Sequence, residues 1–404
     1  MLDELKLSIF EDLVNQNYKE DNNGSKDNLL DYHIEPEQLC YYSKKSNNDI
    51  EYDNSSGLSE IKIPIIPSKN KSKSKNNKRE KPQDPIIGSC LTTGFDEYIH
   101  PTLNEIYSFD DLFKSIIHLH NKRVILKKDF KIITLRRHLQ KLMNIPLDKQ
   151  EVKFNVIYWK GIIFFAYDWE ENKQEEEYTS KQLTQRLLQY SGFKFEQILT
   201  EKVEERNENS NFFTVSQHKI NNKIPIIYSA EIDCGISNEA TFENYVELKT
   251  HSKLNDDKLK TLNKLYRKLM KMYCQNKFIS SNYSVIGFRS LDFKLMSIKK
   301  YTNYELVGLF NSNPIFLTHS CSINTKHIFQ WYNIVMNWIV EKEKEIANHV
   351  DKPVVLKLSF DRELELMDSN LNFHEIKNET ETIKIFNSII PPWFKEFIES
   401  KLCT

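Results

Sequence analysis

The chain has 404 residues with 39% hydrophobic and 12% aromatic content, which suffices to bury a large core and excludes a wholly disordered protein. Its formal net charge is -1, so a polyanion such as nucleic acid must bind to a local basic patch rather than to a general positive field. The nine glycines form neither a Walker nor a dinucleotide-binding pattern, which argues against a glycine-rich nucleotide cradle.

The cysteines and the apolar stretches indicate the compartment. Six cysteines are scattered without a Cys-x-x-Cys pair, as expected for free thiols in a reducing environment. The acidic start, Met1-Leu2-Asp3-Glu4, lacks the basic and apolar regions of a signal peptide. The most apolar stretch, residues 156–169, contains Lys160 and is too short to span a bilayer. We therefore expect a soluble intracellular protein with no membrane partner.

Two segments are predicted to lie outside the folded domain. Residues 1–37 are polar and rich in asparagine, and we expect them to be poorly ordered. Residues 68–83 carry a lysine-rich, low-complexity run that predicts a disordered insertion. This run is compatible with a nuclear-import signal, an RNA-touching loop or a plain solvated insertion. The sequence thus favours the nucleus, with the cytoplasm as the alternative, and a single folded domain over residues 38–404.

The hydrophobic pattern along this domain mixes helical and strand periods. It predicts helices over residues 108–122, 180–190, 256–274 and 326–347. It predicts a hairpin over residues 154–167 that turns at Lys160-Gly161, and strands over residues 224–236, 242–250, 284–288 and 354–360. Because these elements do not alternate regularly, we expect an α+β domain with a central antiparallel or mixed β-sheet flanked by helices.

Two charged triplets, Glu231-Ile232-Asp233 and Glu247-Leu248-Lys249, lie in predicted strands. Residues two apart on a strand point to the same face, so each triplet presents two charged side chains together. If the strands are neighbours, three carboxylates meet, and such a cluster needs a cation, for which Mg²⁺ or Mn²⁺ is suited. Either triplet alone is usually a solvated strand face. Together they resemble the active site of PD-(D/E)XK nucleases, metal-dependent phosphodiesterases in which a lysine polarises the attacking water.

Further motifs make the resemblance more specific. Thr134-Leu135-Arg136-Arg137-His138-Leu139 and Gly192-Phe193-Lys194-Phe195-Glu196 precede the triplets. In this order the four segments resemble the motifs of the DXO family of eukaryotic decapping nucleases, which includes fungal members that partner the nuclear 5′→3′ exoribonuclease. Gln275 precedes Ile286-Gly287-Phe288-Arg289 at the family spacing, and residues 91–98 resemble its early Leu-x-x-Gly-Phe segment. The resemblance covers residues 38–395.

The resemblance implies a set of metal ligands. Glu196, Asp233 and Glu247 would be the metal-facing carboxylates, and the Leu248 carbonyl would complete the shell. Glu231 would bind metal through water or hold the nucleophilic water. Two Mg²⁺ or Mn²⁺ ions would then take part. Taken singly, Glu196 is also explained as a carboxylate at a helix start.

The resemblance also implies substrate contacts. Lys249 and Gln275 would position the water and the scissile phosphate, and Arg136 would bind an RNA phosphate. Taken singly, Arg136 beside Arg137 is also explained as a surface basic pair, and Gln275 as a solvent-facing helix end. Arg137 stands where the family usually has glycine, which places substrate preference in more doubt than activity.

The expected function is a metal-dependent hydrolase of RNA 5′ ends. The resemblance implies removal of unmethylated guanosine and NAD caps, and in some members 5′-triphosphate pyrophosphohydrolase and 5′→3′ exoribonuclease activity. The expected partners are capped, NAD-capped, triphosphorylated or monophosphorylated RNA. The alternative is a binding partner that stabilises a larger nuclear 5′→3′ exoribonuclease, with its own catalysis secondary. The motif order disfavours a DNA nuclease.

Overall fold

The structure, a computed structural model, describes residues 4–6, 34–65, 86–148, 150–201, 211–254, 259–312, 325–346, 352–361 and 370–402. The predicted lysine-rich insertion at residues 68–83 lies outside the described residues, and so does most of the predicted N-terminal segment, residues 1–37. Residues 4–6 of that segment form a short strand at the edge of the larger sheet.

The strands of the described residues are, in chain order, β1 (Glu4–Lys6), β2 (Glu37–Lys44), β3 (Ile50–Tyr52), β4 (Glu60–Ile61), β5 (Ile132–Leu135), β6 (Val152–Trp159), β7 (Ile162–Tyr167), β8 (Thr200–Glu201), β9 (Asn211–Ile220), β10 (Ile224–Ile232), β11 (Cys234–Gly235), β12 (Tyr245–Ser252), β13 (Tyr283–Arg289), β14 (Leu295–Thr302), β15 (Val354–Asp361) and β16 (Asn370–Glu375). The α-helices are α1 (Leu103–Tyr107), α2 (Asp110–Asn121), α3 (Arg136–Asp148), α4 (Lys173–Glu176), α5 (Leu183–Leu199), α6 (Leu259–Lys277), α7 (Asn303–Ser312), α8 (Thr325–Ile346), α9 (Glu379–Ile389) and α10 (Pro392–Phe397).

The strands form two mixed sheets. The larger sheet has the order β1-β16-β15-β6-β7-β5-β10-β9-β2-β3, and its β5 pairs in parallel with β7 and β10. The smaller sheet has the order β14-β13-β12-β11-β4-β8, and its β12 and β13 are parallel. The predicted α+β class, with a mixed sheet flanked by helices, is confirmed. The expected single central sheet is instead two sheets, because the chain leaves the larger sheet after Ile232 and enters the smaller one at Cys234.

Helices cover both faces of the larger sheet. One face packs against α3, α6 and α8, and the buried stripe of α8 includes Trp331, Tyr332 and Val335. The other face packs against α2, α9 and α10. Strands covered on both faces are apolar at successive positions, which explains the nearly continuous hydrophobic runs of β6 and β7. None of the described helices has the length and apolar character needed to cross a membrane.

Most predicted elements are found, with one clear error of length. The predicted hairpin turns at Lys160 and Gly161, which both have positive φ, as a two-residue hairpin turn requires. The predicted helix over residues 180–190 is too short, because α5 continues through Gly192 to Leu199. Its second half carries Phe195 and Leu199, which are buried against the smaller sheet. This packing outweighs the low helix propensity of one glycine.

Candidate active site

The two charged triplets meet where the chain passes from one sheet to the other. Glu231 lies near the end of β10, and Asp233 is the single residue between β10 and β11. The Asp233 carboxylate accepts a hydrogen bond from the backbone N–H of Leu248 at 2.8 Å, which ties the crossing to β12. The triplets therefore meet through Asp233, Glu247 and Lys249, although β12 pairs with β11 and β13 rather than with β10. The expected third carboxylate, Glu231, does not join them, because it contacts Asn211 and Arg137 instead.

Three oxygen atoms of the predicted metal shell converge on one cation, the Lys249 ammonium. This group forms ion pairs with Glu247 and with Asp233, the latter at 3.5 Å, and donates a hydrogen bond to the Leu248 carbonyl at 3.0 Å. The Glu247 side chain is only 2% exposed. Oxygen ligands held around a positive charge are the type of donor set that suits a hard divalent ion. The residues present thus fit such an ion at this position.

Glu196 and Glu231 lie further from this point. Neither forms an ion pair with Lys249 in the part of the chain that is described. Among the described residues, no group of three or more acidic, histidine or cysteine side chains is arranged so that it could hold a metal. Glu196 projects from α5, whose register on the smaller sheet is set by Phe195. The Phe195 ring occupies the space that a Cβ on Gly287 of β13 would need. The small residue in the Ile286-Gly287 motif therefore allows α5, with Glu196, to approach the site.

The cluster has an excess of negative charge. Burial and then the Asp233 carboxylate raise the pKa of Glu196 and of Glu247. Burial disfavours the charged form of Lys249, but Asp233 and Glu247 outweigh this effect and raise the pKa of the ammonium. One lysine thus serves several carboxylates, and an additional cation would relieve their repulsion.

Glu231 faces a basic pair at the start of α3. Its carboxylate accepts a hydrogen bond from Asn211 at 3.1 Å and lies 3.9 Å from the Arg137 guanidinium. Burial raises the pKa of Glu231, and Arg137 opposes this change. Its backbone carbonyl accepts a hydrogen bond from Arg136 Nη2 at 2.7 Å. The interpretation of both arginines as a surface pair is wrong for Arg136, which is only 7% exposed.

A cavity of about 340 Å³ connects these groups. Its lining includes the six site residues Arg136, Arg137, Glu231, Asp233, Lys249 and Gln275, but not Glu196 or Glu247. Arg136 Nη1 is buried and has no hydrogen-bond partner among the described residues. A buried donor of this kind is costly unless a ligand or water pairs with it. A larger cavity, of about 600 Å³ beside Trp169 and Lys357, contains none of the predicted site residues.

Gln275 is not the solvent-facing helix end of the alternative interpretation. It is 7% exposed, and its Nε2 donates to Glu247 at 2.6 Å. The sequence did not reveal Gln140, whose Nε2 donates to Gln275 Oε1 at 2.8 Å. Gln140 follows Arg136 by four residues on α3, so the helical period was the available signal. The structure thus brings together Asp233, Glu247, Lys249 and Gln275, and Arg136 lines the adjoining cavity. Glu196 and Glu231 lie further from Lys249, and the roles of all these residues remain predictions.

The chain is similar to known proteins over about nine tenths of its length. A decapping nuclease RAI1 from Kluyveromyces lactis is 24% identical over 396 residues, covering 90% of this chain and 94% of that protein. The crystal structure of Scheffersomyces stipitis Rai1 in complex with 3′-NADP⁺ and calcium ion has a TM-score of 0.72 at 20% identity, covering 92% of this chain and 97% of that one. Candida albicans Rai1 in complex with pU5-Mn²⁺ has a TM-score of 0.70 at 21% identity, covering 92% and 99%.

The family model described as RAI1 like PD-(D/E)XK nuclease matches residues 34–395, which is well over half of the chain. The chain therefore belongs to the RAI1-like PD-(D/E)XK nuclease family, which confirms the predicted family and the predicted hydrolase class.

Proposed function

We propose that this protein is a divalent-metal-dependent hydrolase of RNA 5′ ends that removes unmethylated guanosine and NAD caps. One observation carries the proposal: the carboxylates of Asp233 and Glu247 and the Leu248 carbonyl surround one cationic position beside a cavity that Arg136 also lines. The buried Nη1 of Arg136 has no hydrogen-bond partner among the described residues. Such a cavity offers a cation site on one side and a phosphate-binding guanidinium on the other.

The proposed metal ligands are Asp233, Glu247, Glu196 and the Leu248 carbonyl, with Glu231 bound through water. The metal would be Mg²⁺ or Mn²⁺, and we propose two ions. When bound, the ions lower the pKa of a water molecule and stabilise charge on the leaving oxygen. The excess of carboxylates around a single ammonium supports this set, because the repulsion between them favours binding of a further cation.

The chain's own residues would then hold the substrate. Arg136 would bind a phosphate of the 5′ end through Nη1, while its Nη2 stays anchored to the Glu231 carbonyl. Lys249 would turn from Glu247 towards the cavity and orient the attacking water, and Gln275 would orient the scissile phosphate. The cavity lies near the lower end of the ~300–1,000 Å³ range of ligand pockets, which suits one terminal nucleotide or cap rather than a duplex.

Four labelled RNAs test this proposal, with 5′-monophosphate, 5′-triphosphate, unmethylated guanosine cap and NAD cap. With Mn²⁺, we expect cleavage of at least one capped RNA, and the pattern across the panel also reports pyrophosphohydrolase and 5′→3′ exoribonuclease activity. The Asp233→Asn protein serves as the matched inactive control. Failure of the wild-type protein to act on any of the four would reject the proposed function.

We also propose a role as a binding partner that stabilises a larger 5′→3′ exoribonuclease in the nucleus. The supporting feature is a pair of exposed apolar side chains on the β13–β14 hairpin: Leu291 in the connecting loop is 85% exposed, and Met296 in β14 is 39% exposed. In the smaller sheet β14 is an edge strand, and β13 separates it from β12, which carries Glu247 and Lys249. A partner bound at β14 would therefore leave the cavity open. We expect that a Leu291→Ser, Met296→Ser protein still cleaves RNA but no longer co-purifies with the exoribonuclease. Unchanged co-purification would remove this surface from consideration.

A further inference from the structure

A chain of two side-chain amides leads from helix α3 to the buried carboxylate of Glu247. Gln140 Nε2 donates to Gln275 Oε1 at 2.8 Å, and Gln275 Nε2 donates to Glu247 Oε1 at 2.6 Å. Gln275 and Glu247 are both almost fully buried, whereas Gln140 is half-buried and lines the cavity. Of these three side chains, Gln140 is therefore the one that contacts solvent.

The direction of each hydrogen bond in this chain follows from Glu247. An ionised carboxylate can only accept hydrogen bonds, so Gln275 must present its NH₂ group to Glu247. The Gln275 carbonyl oxygen then faces Gln140, and a donor is required there. If the Gln275 amide were rotated by half a turn, its oxygen would face the Glu247 carboxylate and two acceptors would oppose each other. A donor at position 140 thus selects one of the two orientations of the Gln275 amide.

Helix α3 brings Gln140 to this position. Arg136 and Gln140 are four residues apart on α3 and lie on the same side of the helix, where both line the cavity. The element that supplies the buried guanidinium therefore also supplies the amide donor. Gln275 comes from α6 and Glu247 from β12. The hydrogen-bond relay Gln140–Gln275–Glu247 therefore connects three elements at the site.

We infer that Gln140 is a positioning residue that acts through Gln275. Its NH₂ group holds the Gln275 amide in the orientation that donates to Glu247. The Gln275 side chain thereby stays in the position from which it would orient the scissile phosphate. The inference rests on the proposed function, since the role of Gln275 towards the scissile phosphate belongs to it. Gln140 itself need not touch the substrate.

Two substitutions separate hydrogen-bond direction from shape. Gln140→Glu keeps the size but replaces the donor with an acceptor, so it favours the wrong orientation of Gln275. Gln140→Met keeps the length and removes the hydrogen bond without favouring either orientation. We expect kcat to fall at least about tenfold for Gln140→Glu and about threefold for Gln140→Met, with Mn²⁺ present. Equal kcat values for the three proteins would overturn the inference.

A charge added to the cavity also repels RNA, and Ser108→Asp controls for this effect. Ser108 lines the same cavity, and its hydroxyl accepts a hydrogen bond from the Asp110 N–H, a role that aspartate can also fill. This variant should raise KM and leave kcat unchanged, whereas Gln140→Glu should lower kcat. If both variants change KM alone, Gln140 contributes only to the cavity's charge and the inference fails.

A double-mutant cycle tests whether Gln140 acts through Gln275. In a Gln275→Met protein there is no amide left to orient, so adding Gln140→Glu should change kcat by less than about twofold. If the two effects multiply instead, Gln140 acts by another route.

An NMR measurement makes the test independent of activity. The side-chain ¹⁵N–¹H₂ signals of Gln275 are identified by their loss in Gln275→Met, and their exchange with solvent is followed in the metal-free protein. We expect slow exchange in the wild type and clearly faster exchange in Gln140→Glu; identical exchange would refute the relay. If the wild type cleaves none of the four RNAs while the exchange differs as expected, the proposed function fails and the relay stands.

Discussion

Replacing Lys249 with methionine should weaken the metal-free protein and increase its response to metal. The Lys249 ammonium lies 3.5 Å from the Asp233 carboxylate and also pairs with Glu247. At an effective dielectric constant of ~20, one pair at this distance is worth about 5 kcal/mol before any correction. The Lys249 side chain is 33% exposed, so water screens this attraction, and the cost of burying the ammonium opposes it. We therefore expect a net loss of about 2 kcal/mol in the free energy of unfolding.

This loss can be measured as a shift in Tm with and without metal. For a chain of 404 residues, the unfolding entropy of about 2.1 cal/mol/K per residue makes 2 kcal/mol equal to a Tm decrease of about 2–3 °C. If Asp233 and Glu247 hold a divalent ion as proposed, the ion must displace the ammonium in the wild type, whereas in Lys249→Met it meets free carboxylates. The Tm increase produced by about 1 mM Mn²⁺ should thus be larger in the variant by a similar 2–3 °C.

Differential scanning fluorimetry in chelator and in Mn²⁺ provides the comparison, and Lys219→Met, an exposed position on β9, is the matched control. RNA turnover by Lys249→Met should fall at least about a hundredfold despite its tighter metal response. If Mn²⁺ raises Tm equally in the wild type and in Lys249→Met, the ammonium does not occupy the metal position and the reasoning is wrong.

Three further predictions concern other parts of the structure. Asp233→Asn combined with Glu247→Gln should abolish turnover and the Mn²⁺-dependent Tm shift. The Tm in chelator should change by less than about 3 °C, because both amides can still accept hydrogen bonds. Retained cleavage would show that the triplets form only a surface. Arg137→Gly should raise KM for triphosphorylated RNA several-fold without lowering kcat, because the guanidinium lines the cavity and lies over the Tyr107 ring at 5.6 Å; an unchanged KM would exclude a phosphate contact. Burial lowers the pKa of His218 to about 3, below the 6.5 of an unfolded histidine, so its stabilising contribution is complete above pH 6.5 and decreases as the pH falls towards 3. Chemical denaturation should detect a loss of about 2 kcal/mol at pH 5 that is absent in His218→Gln, and equal pH dependence in both proteins would contradict this pKa.

The parts of the fold that depend on local pattern were predictable from the sequence. The hairpin at Lys160-Gly161 and the aromatic stripe of α8 follow from spacings within a few residues. The end of α5 does not, because Gly192 suggests a stop whereas Phe195, three residues later, packs against Gly287 of a strand distant in sequence. Only the tertiary contact reveals that the helix continues.

The division into two sheets was likewise hidden. Residues 224–236 read as one apolar strand, and nothing in their alternation marks Asp233 as the crossing point. At the break, the Asp233 carboxylate accepts a hydrogen bond from the Leu248 N–H, a contact between residues 15 positions apart in the sequence. Asp233 thus has a structural role in addition to its predicted one, and for this reason the asparagine variant tests the chemistry better than an alanine variant would.

The same geometry bears on the order of events at the site. Lys249 was predicted to orient the attacking water, but its ammonium lies against Glu247, Asp233 and the Leu248 carbonyl. These are the oxygen atoms that the proposed metal needs, so one positive charge must leave before another can bind without repulsion. A lysine freed from Glu247 then becomes available to the water in the adjoining cavity, which it already lines. Under the proposed function, Lys249 would therefore have two roles: its ammonium would balance the charge of Asp233 and Glu247, and it would be freed to orient the water where a divalent ion takes its place.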